Sequence, residues 1–296
     1  MAQHILNAVA LGSVYLVFAL GMALAWSTIG ILNFAHGATF MFSAFTAHVV
    51  TQHVALPMPA VVLVAVAAGA LIATLTQVLA FGPIMRRATD HRSAELRILI
   101  GGIGVAAIPL AIAERVTASA PFGFRGSTYQ AQVFEIAGLR MTTTVLVIVV
   151  AGIGIGVGVW RWLATSRQGL ALRAIGVDSE TASLMGVDRS TLALGTMATA
   201  GALAGLAGAL LTFQLGAIAP ASGDQLLIKA FAIVVLGGLG SMGGVIVGAF
   251  VLAGAETFVL AMNQGTWVDA VSFGLIFAVL LLRPQGLFGR KEVRRT

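Results

Sequence analysis

Long apolar runs, following one another with few charges between them, decide most of what this chain can become. Residues 5–26 carry no charged side chain, and 22 residues of helix are long enough to cross a hydrocarbon core of roughly 30 Å. Further runs occupy residues 29–50, 59–84, 98–113, 142–162, 192–213, 230–260 and 268–282. Only 9% of the residues are charged and 58% are hydrophobic, far from the roughly 25% charged of a globular chain. The expectation is an all-α polytopic membrane protein forming one domain over residues 1–296. With 36 glycines and two tyrosines, its spans are suited to close approach, since small residues let backbones meet where lipid supplies no hydrophobic drive between helices.

The formal charge of +6 does not point to nucleic acid, because the arginines lie between apolar runs instead of forming one basic face. Placing residues 86–97, residues 161–189 and the tail from 283 in the cytoplasm puts 13 of the 17 Lys and Arg inside. Arg115, Arg125, Arg140 and Lys229 are then left outside. A signal peptide is the competing reading of the first run, with Ala23-Leu24-Ala25 as cleavage site, but residues 1–4 lack Lys and Arg and the run is long for that role. The run is therefore read as a retained span.

Several interruptions carry information. Pro109 predicts a kink in the fourth run. Residues 114–140 form the longest extracytoplasmic loop, with room for a short hairpin. Gly152, Gly154, Gly156 and Gly158 are spread around their helix, which predicts packing on several sides. Gly201, Gly205 and Gly208 have the spacing of close helix pairs. In residues 230–260, Gly237, Gly238, Gly240, Ser241 and Gly243 predict a helix break, tolerated in a membrane where the unwound backbone lines a cavity or packs in protein. Counting that region as two gives eight or nine spans with broken or re-entrant helices, and nine would put the N-terminus outside. The break and residues 33–37 are candidate counterparts in two similar halves.

Polar residues inside apolar runs mark candidate sites. Asn33 and His36 lie one turn apart in the second run, either along a translocation path or satisfying the backbone at a helix break. Glu256 is the one acid deep in an apolar run, a transport residue or a carboxyl held inside the bundle, with no evident partner. His48 and His53 sit near an interface without an acidic neighbour, which favours a bulk-facing role over metal binding. Neither a metal site nor a cofactor is expected.

Catalytic readings fare poorly. Lys229 and Lys291 are the two lysines and neither completes a Walker A motif, so ATP hydrolysis is not expected. Gly238-x-Gly240-x-x-Gly243 has the letters of a dinucleotide fingerprint, but it lacks a soluble βαβ unit with an acid about 20 positions on. Ser241 with His36 as base could suggest an intramembrane hydrolase, yet Gly-x-Ser-Gly is absent because Met242 follows Ser241. The chain is not read as an enzyme.

The longest polar interruption is residues 166–188. It predicts two short helices outside the bilayer, one over residues 170–175 and one opening at Asp178, with Glu180 in its first turn and Gly186 closing it. Such a segment can pass force from a cytoplasmic ATPase to the spans, or be an ordinary amphipathic connector.

Four stretches in order, NFAHG at 33–37, RAIGVD with ASLMGVD at 173–188, FAIVVLGGLGSMGG at 231–244 and RPQGLFG at 283–289, resemble the first permease subunit of branched-chain amino acid ABC transporters. The resemblance covers nearly the whole chain. It implies translocation of branched-chain amino acids across the bacterial cytoplasmic (inner) membrane, with a second permease, two cytoplasmic ATPase subunits and a periplasmic substrate-binding protein as partners. Asn33, His36 and Glu256 would lie by the path. Asp178, Glu180, Ala182, Ser183, Met185 and Gly186 would face the ATPases from a coupling loop at 165–190, and residues 284–296 would form a basic cytoplasmic tail. The Glu-Ala-Ala signature common to many importers is replaced here by Glu180-Thr181-Ala182. Related permeases serve urea, short amides or aromatic acids, and an ion-gradient-driven secondary transporter is the remaining alternative.

Overall fold

In the computed structural model, residues 2–30, 32–87, 91–136, 138–177 and 179–289 are described. Nearly all of them are helical. The elements in order are α1 (Ala2–Ile29), α2 (Ala35–His53), α3 (Met58–Thr76), α4 (Gly82–Arg87), α5 (His91–Thr117), β1 (Val133–Ile136) and β2 (Leu139–Thr142). There follow α6 (Thr143–Thr165), α7 (Arg167–Val177), α8 (Ser179–Leu184), α9 (Arg189–Leu215), α10 (Ser222–Gly237), α11 (Met242–Ala261) and α12 (Val268–Leu282). A π-helical turn, Gln77–Phe81, joins α3 to α4, and a 3₁₀ turn, Gly265–Trp267, precedes α12. Pro83 gives the π turn a cause: it has no N–H and its ring would strike the preceding carbonyl of a regular helix, so the chain widens by one residue before it.

Among the described residues, seven helices are long and apolar enough to cross a membrane: α1, α3 with α4, α5, α6, α9, α11, and α12 with its 3₁₀ turn. The expected eight or nine is reached only with α2 and α10. Both are embedded against other helices, but α2 is too polar and α10, at 16 residues, too short. The charged stretch up to Arg97, expected as loop, is largely the end of α4 and the start of α5, and Pro109 lies within the continuous α5.

The helices share two ends. At one, Gln3 Nε2 donates to the Arg140 carbonyl at 3.1 Å, Thr128 N to the Leu56 carbonyl at 3.0 Å, and Phe122 pairs with Ile218. The hairpin expected in the long loop is there: β1 and β2 are antiparallel, Glu135 opposite Arg140. At the other end Leu287 N and Phe288 N donate to the carbonyls of Leu236 and Gly237 at 2.8 and 3.0 Å, so residues 284–289 cap the last turn of α10.

Two similar halves are visible, although not paired as the sequence suggested. Each has a helix of 27 or 28 residues, α1 or α9, closed by a glycine at positive φ, Gly30 at 74° or Gly216 at 81°. Each then re-enters as a shorter helix, α2 or α10. Near the starts of these, Gly37 and Gly223 face one another so closely that a Cβ on either would fall on the other's carbonyl oxygen. The counterpart of residues 30–37 is therefore 216–223, and the glycine break at 237–244 is a turn between neighbouring antiparallel helices.

Glycines also fix the packing of α9. A Cβ on Gly201 would meet the Gly69 carbonyl, one on Gly205 the Ala65 carbonyl, and one on Gly208 the Phe40 carbonyl at 2.6 Å. The expectation for residues 152–158 needs correction. Gly152 and Gly156 lie against Ser13 and Leu16 of α1, whereas Gly154 and Gly158 have nothing within 4 Å, so α6 packs on one side. A spacing of four residues keeps 152 and 156 on one helical face, and the intervening pair points elsewhere.

Candidate functional site

Asn33 starts the first candidate region. Its Oδ1 accepts from Ala35 N at 3.0 Å, an Asx turn that opens α2, while its Nδ2 lies 3.9 Å from Met197 Sδ. His36 follows, stacked on Phe18 with ring centroids 4.5 Å apart, and its Nε2–H donates to the Phe18 carbonyl at 3.2 Å. Both residues are buried, and these contacts hold the re-entry after Gly30 against α1 and α9. The pairing of amide and imidazole seen in the sequence is thus a local structural unit.

Glu256 has the partner that the sequence did not supply. Lys229 Nζ lies 2.9 Å from its Oε2, Tyr15 Oη donates to the same oxygen at 2.7 Å, and Ser272 Oγ donates to Oε1 at 2.8 Å. One carboxylate, 2% exposed, therefore ties α1, α10, α11 and α12 together. Lys229 was expected in an outer loop. It is instead in the second turn of α10, 19% exposed, also donating to Tyr15 Oη at 3.1 Å. The helix begins at Ser222, eight residues before the apolar run at 230, and the run of Leu226, Leu227 and Ala230 on its buried face was the signal that could have shown it. A buried charge is tolerable only when paired and hydrogen-bonded, and here the Lys229 ammonium donates to Glu256 and Tyr15 while the Tyr15 and Ser272 hydroxyls donate to the carboxylate. Asp269, 78% exposed, stands 4.0 Å from Lys229 on the far side.

The glycine break is compact. Gly237 ends α10; Gly238 and Gly240 have φ of 99° and 82°, a backbone that side chains rarely adopt; Ser241 accepts from Gly244 N at 3.1 Å and caps α11, whose first turn contains Gly243. Ala232 to Val235, strand-like in composition, are helical. Ser241 and His36 are each committed to backbone partners in different parts of the fold.

Between α6 and α9 the polar segment forms two helices. Ser166 Oγ caps α7 through Gly169 N at 2.9 Å. The first helix is longer than the expected 170–175. Asp178, expected as cap of the second, lies outside the described residues, as does the basic tail from Arg290 with Lys291, Arg294 and Arg295. Glu180 belongs to α8 by its backbone. Gly186, at φ 87°, ends α8 in a Schellman turn: its N–H donates to the Ser183 carbonyl at 3.0 Å and that of Val187 to the Ala182 carbonyl at 3.1 Å. Ala182 is buried, Ser183 exposed, and Leu184 and Met185 protrude with 84% and 81% exposure. Asp188 then caps α9, accepting from Ser190 N at 2.9 Å and Thr191 Oγ1 at 2.5 Å; the Thr191 hydroxyl and the two backbone N–H groups hold its carboxyl below the usual carboxylate range.

His48 was expected to face bulk water. Its Nδ1–H donates to the Gly123 carbonyl at 2.6 Å, Gln52 Nε2 donates to its other nitrogen at 2.9 Å, and its ring lies 5.4 Å from that of Phe122. It pins the long loop to α2. His53 is exposed.

Comparison with known proteins agrees with this architecture. Residues 4–280 match the family described as branched-chain amino acid transport system, permease component. The chain is 30% identical to the high-affinity branched-chain amino acid transport system permease protein BraD of Pseudomonas aeruginosa and to LivH of Escherichia coli K12, in both cases over 99% of this chain and 97% of the relative. It is 27% identical to a probable permease of this kind from Methanocaldococcus jannaschii, over 96% and 91%. The family is one of transport permeases and not of enzymes. With its multi-pass helical fold and coverage from end to end, the chain belongs to the branched-chain amino acid transport permease family.

Proposed function

We propose that this chain is the translocating subunit of an ABC importer for branched-chain amino acids in a bacterial inner membrane, working beside a second permease with two ATPase subunits and a periplasmic binding protein. The observation that carries the reading is α8. Leu184 and Met185 are almost fully exposed on a helix closed by Gly186, at the end of the molecule where α1 finishes against α7. Two large apolar side chains on a polar segment outside the spans favour a protein partner. Residues 178–186 are read as the coupling helix, with Leu184 and Met185 as the anchors, and Ala182 and the Schellman turn as the frame that presents them. Glu180 is assigned to its opening turn, and Asp178 is proposed to contribute to the same ATPase-facing surface.

Asn33 and His36 are assigned a positioning role beside the path, holding the re-entrant start of α2, and the turn at 237–243 joins α10 to α11. The arrangement around Glu256 weighs against an ion-gradient transporter: its neighbours are an ammonium and two hydroxyls already donating to it, and it offers no free carboxylate for a sodium ion or a mobile proton.

The test is purification from the native membrane in mild detergent, with ATP hydrolysis measured with and without leucine-loaded binding protein. Recovery of ATPases whose hydrolysis the loaded protein stimulates, lost when Leu184 and Met185 are both changed to Glu, is the expected outcome. A chain recovered alone, with uptake that follows a proton or sodium gradient, would overturn the reading.

A further inference from the structure

The face of α10 that no helix of this chain covers carries more polar character than lipid allows. Asp224, Gln225, Ile228 and Phe231 are exposed, at the spacing of one helical face, and Lys229 reaches its edge. The opposite face, with Leu226, Leu227, Ala230 and Ile233, is buried. Charged groups among membrane-embedded helices face water or protein, so this stripe borders an aqueous space or a partner.

Lys229 has three N–H groups. Two are taken, by Glu256 Oε2 at 2.9 Å and by Tyr15 Oη at 3.1 Å. Asp269 Oδ1 stands 4.0 Å from the nitrogen, beyond hydrogen-bond reach, and Asp269 has no hydrogen bond among the described residues. A cation with one open donor thus sits beside an anion with open acceptors, both facing outward. The three charges sum to minus one, which disfavours a simple anion, but the adjacent pair complements a zwitterion whose ammonium and carboxylate share one carbon.

We propose that Lys229 and Asp269 form a recognition site for the head group of the transported α-amino acid: Lys229 donates to its carboxylate, Asp269 accepts from its ammonium, and the apolar side chain lies along Ile228 and Phe231. This rests on the importer reading above. Glu256, Tyr15 and Ser272 are then positioning residues, fixing Lys229 with one N–H turned outward.

Asp269→Asn is the decisive variant, because Asp269 is exposed and makes no hydrogen bond among the described residues whose loss would unfold the chain. The complete complex is reconstituted in liposomes and supplied with saturating leucine-loaded binding protein, and leucine uptake and ATP hydrolysis are followed together. The expected result is uptake reduced about tenfold, the equivalent of one charge-assisted hydrogen bond, with stimulated hydrolysis maintained. Asp269→Glu should restore most of the uptake. Wild-type uptake by Asp269→Asn would overturn the site, as would a parallel fall of uptake and hydrolysis, which would mark a structural role. If the unaltered complex imports no leucine while its ATPases respond to another solute, the importer's cargo, and the site with it, has been misread.

Discussion

Changing Glu256 to Leu should destabilise the protein far more than changing Glu256 and Lys229 together. In the single variant the ammonium of Lys229, four-fifths buried, keeps only Tyr15 as acceptor, and Tyr15 loses its own, while Ser272 falls back on the Val268 carbonyl. Stranding one member of a buried pair costs about 3–5 kcal/mol. With Lys229→Met added, the site is apolar at similar volume, and the deficit should shrink to about 1–2 kcal/mol, most of it from the unpaired Tyr15 hydroxyl. Glu256→Gln separates charge from hydrogen bonding. Its oxygen can still accept from Tyr15 and Lys229, while its amide donates to Ser272 Oγ, whose own proton turns to the Val268 carbonyl at 2.9 Å. It should therefore fall between wild type and the leucine variant. Equilibrium unfolding of the purified protein in detergent–SDS mixtures, run as a double-mutant cycle, measures the coupling directly, and about 2 kcal/mol or more is expected. A coupling near zero would refute the pairing of Lys229 with Glu256 as the element that joins the four helices.

Gly201→Leu should abolish folding or lower thermal stability sharply, because its Cβ would land on the Gly69 backbone, whereas Gly154→Leu, in open space, should behave as wild type in the same melting assay. Gly186→Val forces a β-branched residue to φ 87° and should leave the protein in the membrane while uncoupling ATP hydrolysis from uptake; normal uptake would sink the coupling-helix assignment. The carboxyl of Asp188 has its folded pKa lowered, so its capping contribution is present above the unfolded carboxylate value and fades as pH falls through the lowered one. Hydrogen exchange in the first turn of α9 should accordingly rise at acid pH, and Asp188→Asn, which still caps, should flatten that dependence.

Apolar length alone located the main spans, since a bilayer leaves the backbone little choice but helix; α12 starts and stops where its run does, and Gly186 marked the end of α8 correctly. What stayed hidden depended on contacts between distant residues. Lys229 looked like a loop cation because the first turn of its helix carries Asp224 and Gln225, polar residues that face away from the bundle, and only the fold brings Glu256 within 2.9 Å of it. His48 gained a partner 75 positions away. The symmetry was misassigned for a related reason: the glycines of 237–244 are the more conspicuous string, but Gly37 and Gly223 each stand nearly alone, and their significance is that they touch. The coupling segment was readable as two helices, while its exposed Leu184 and Met185 had no pattern to set them apart from any apolar pair.

The cap on α10 also dictates an order of events. Leu236 and Gly237 receive their donors from Leu287 and Phe288, which follow every helix among the described residues. Until residues 287 and 288 have been made and brought back to it, the end of α10 lacks these donors, and its carbonyls must be satisfied by water or another donor. Closure of that end is thereby postponed until the chain has run past α12, and a chain truncated after residue 283 would keep the helices named above with that seam unsealed.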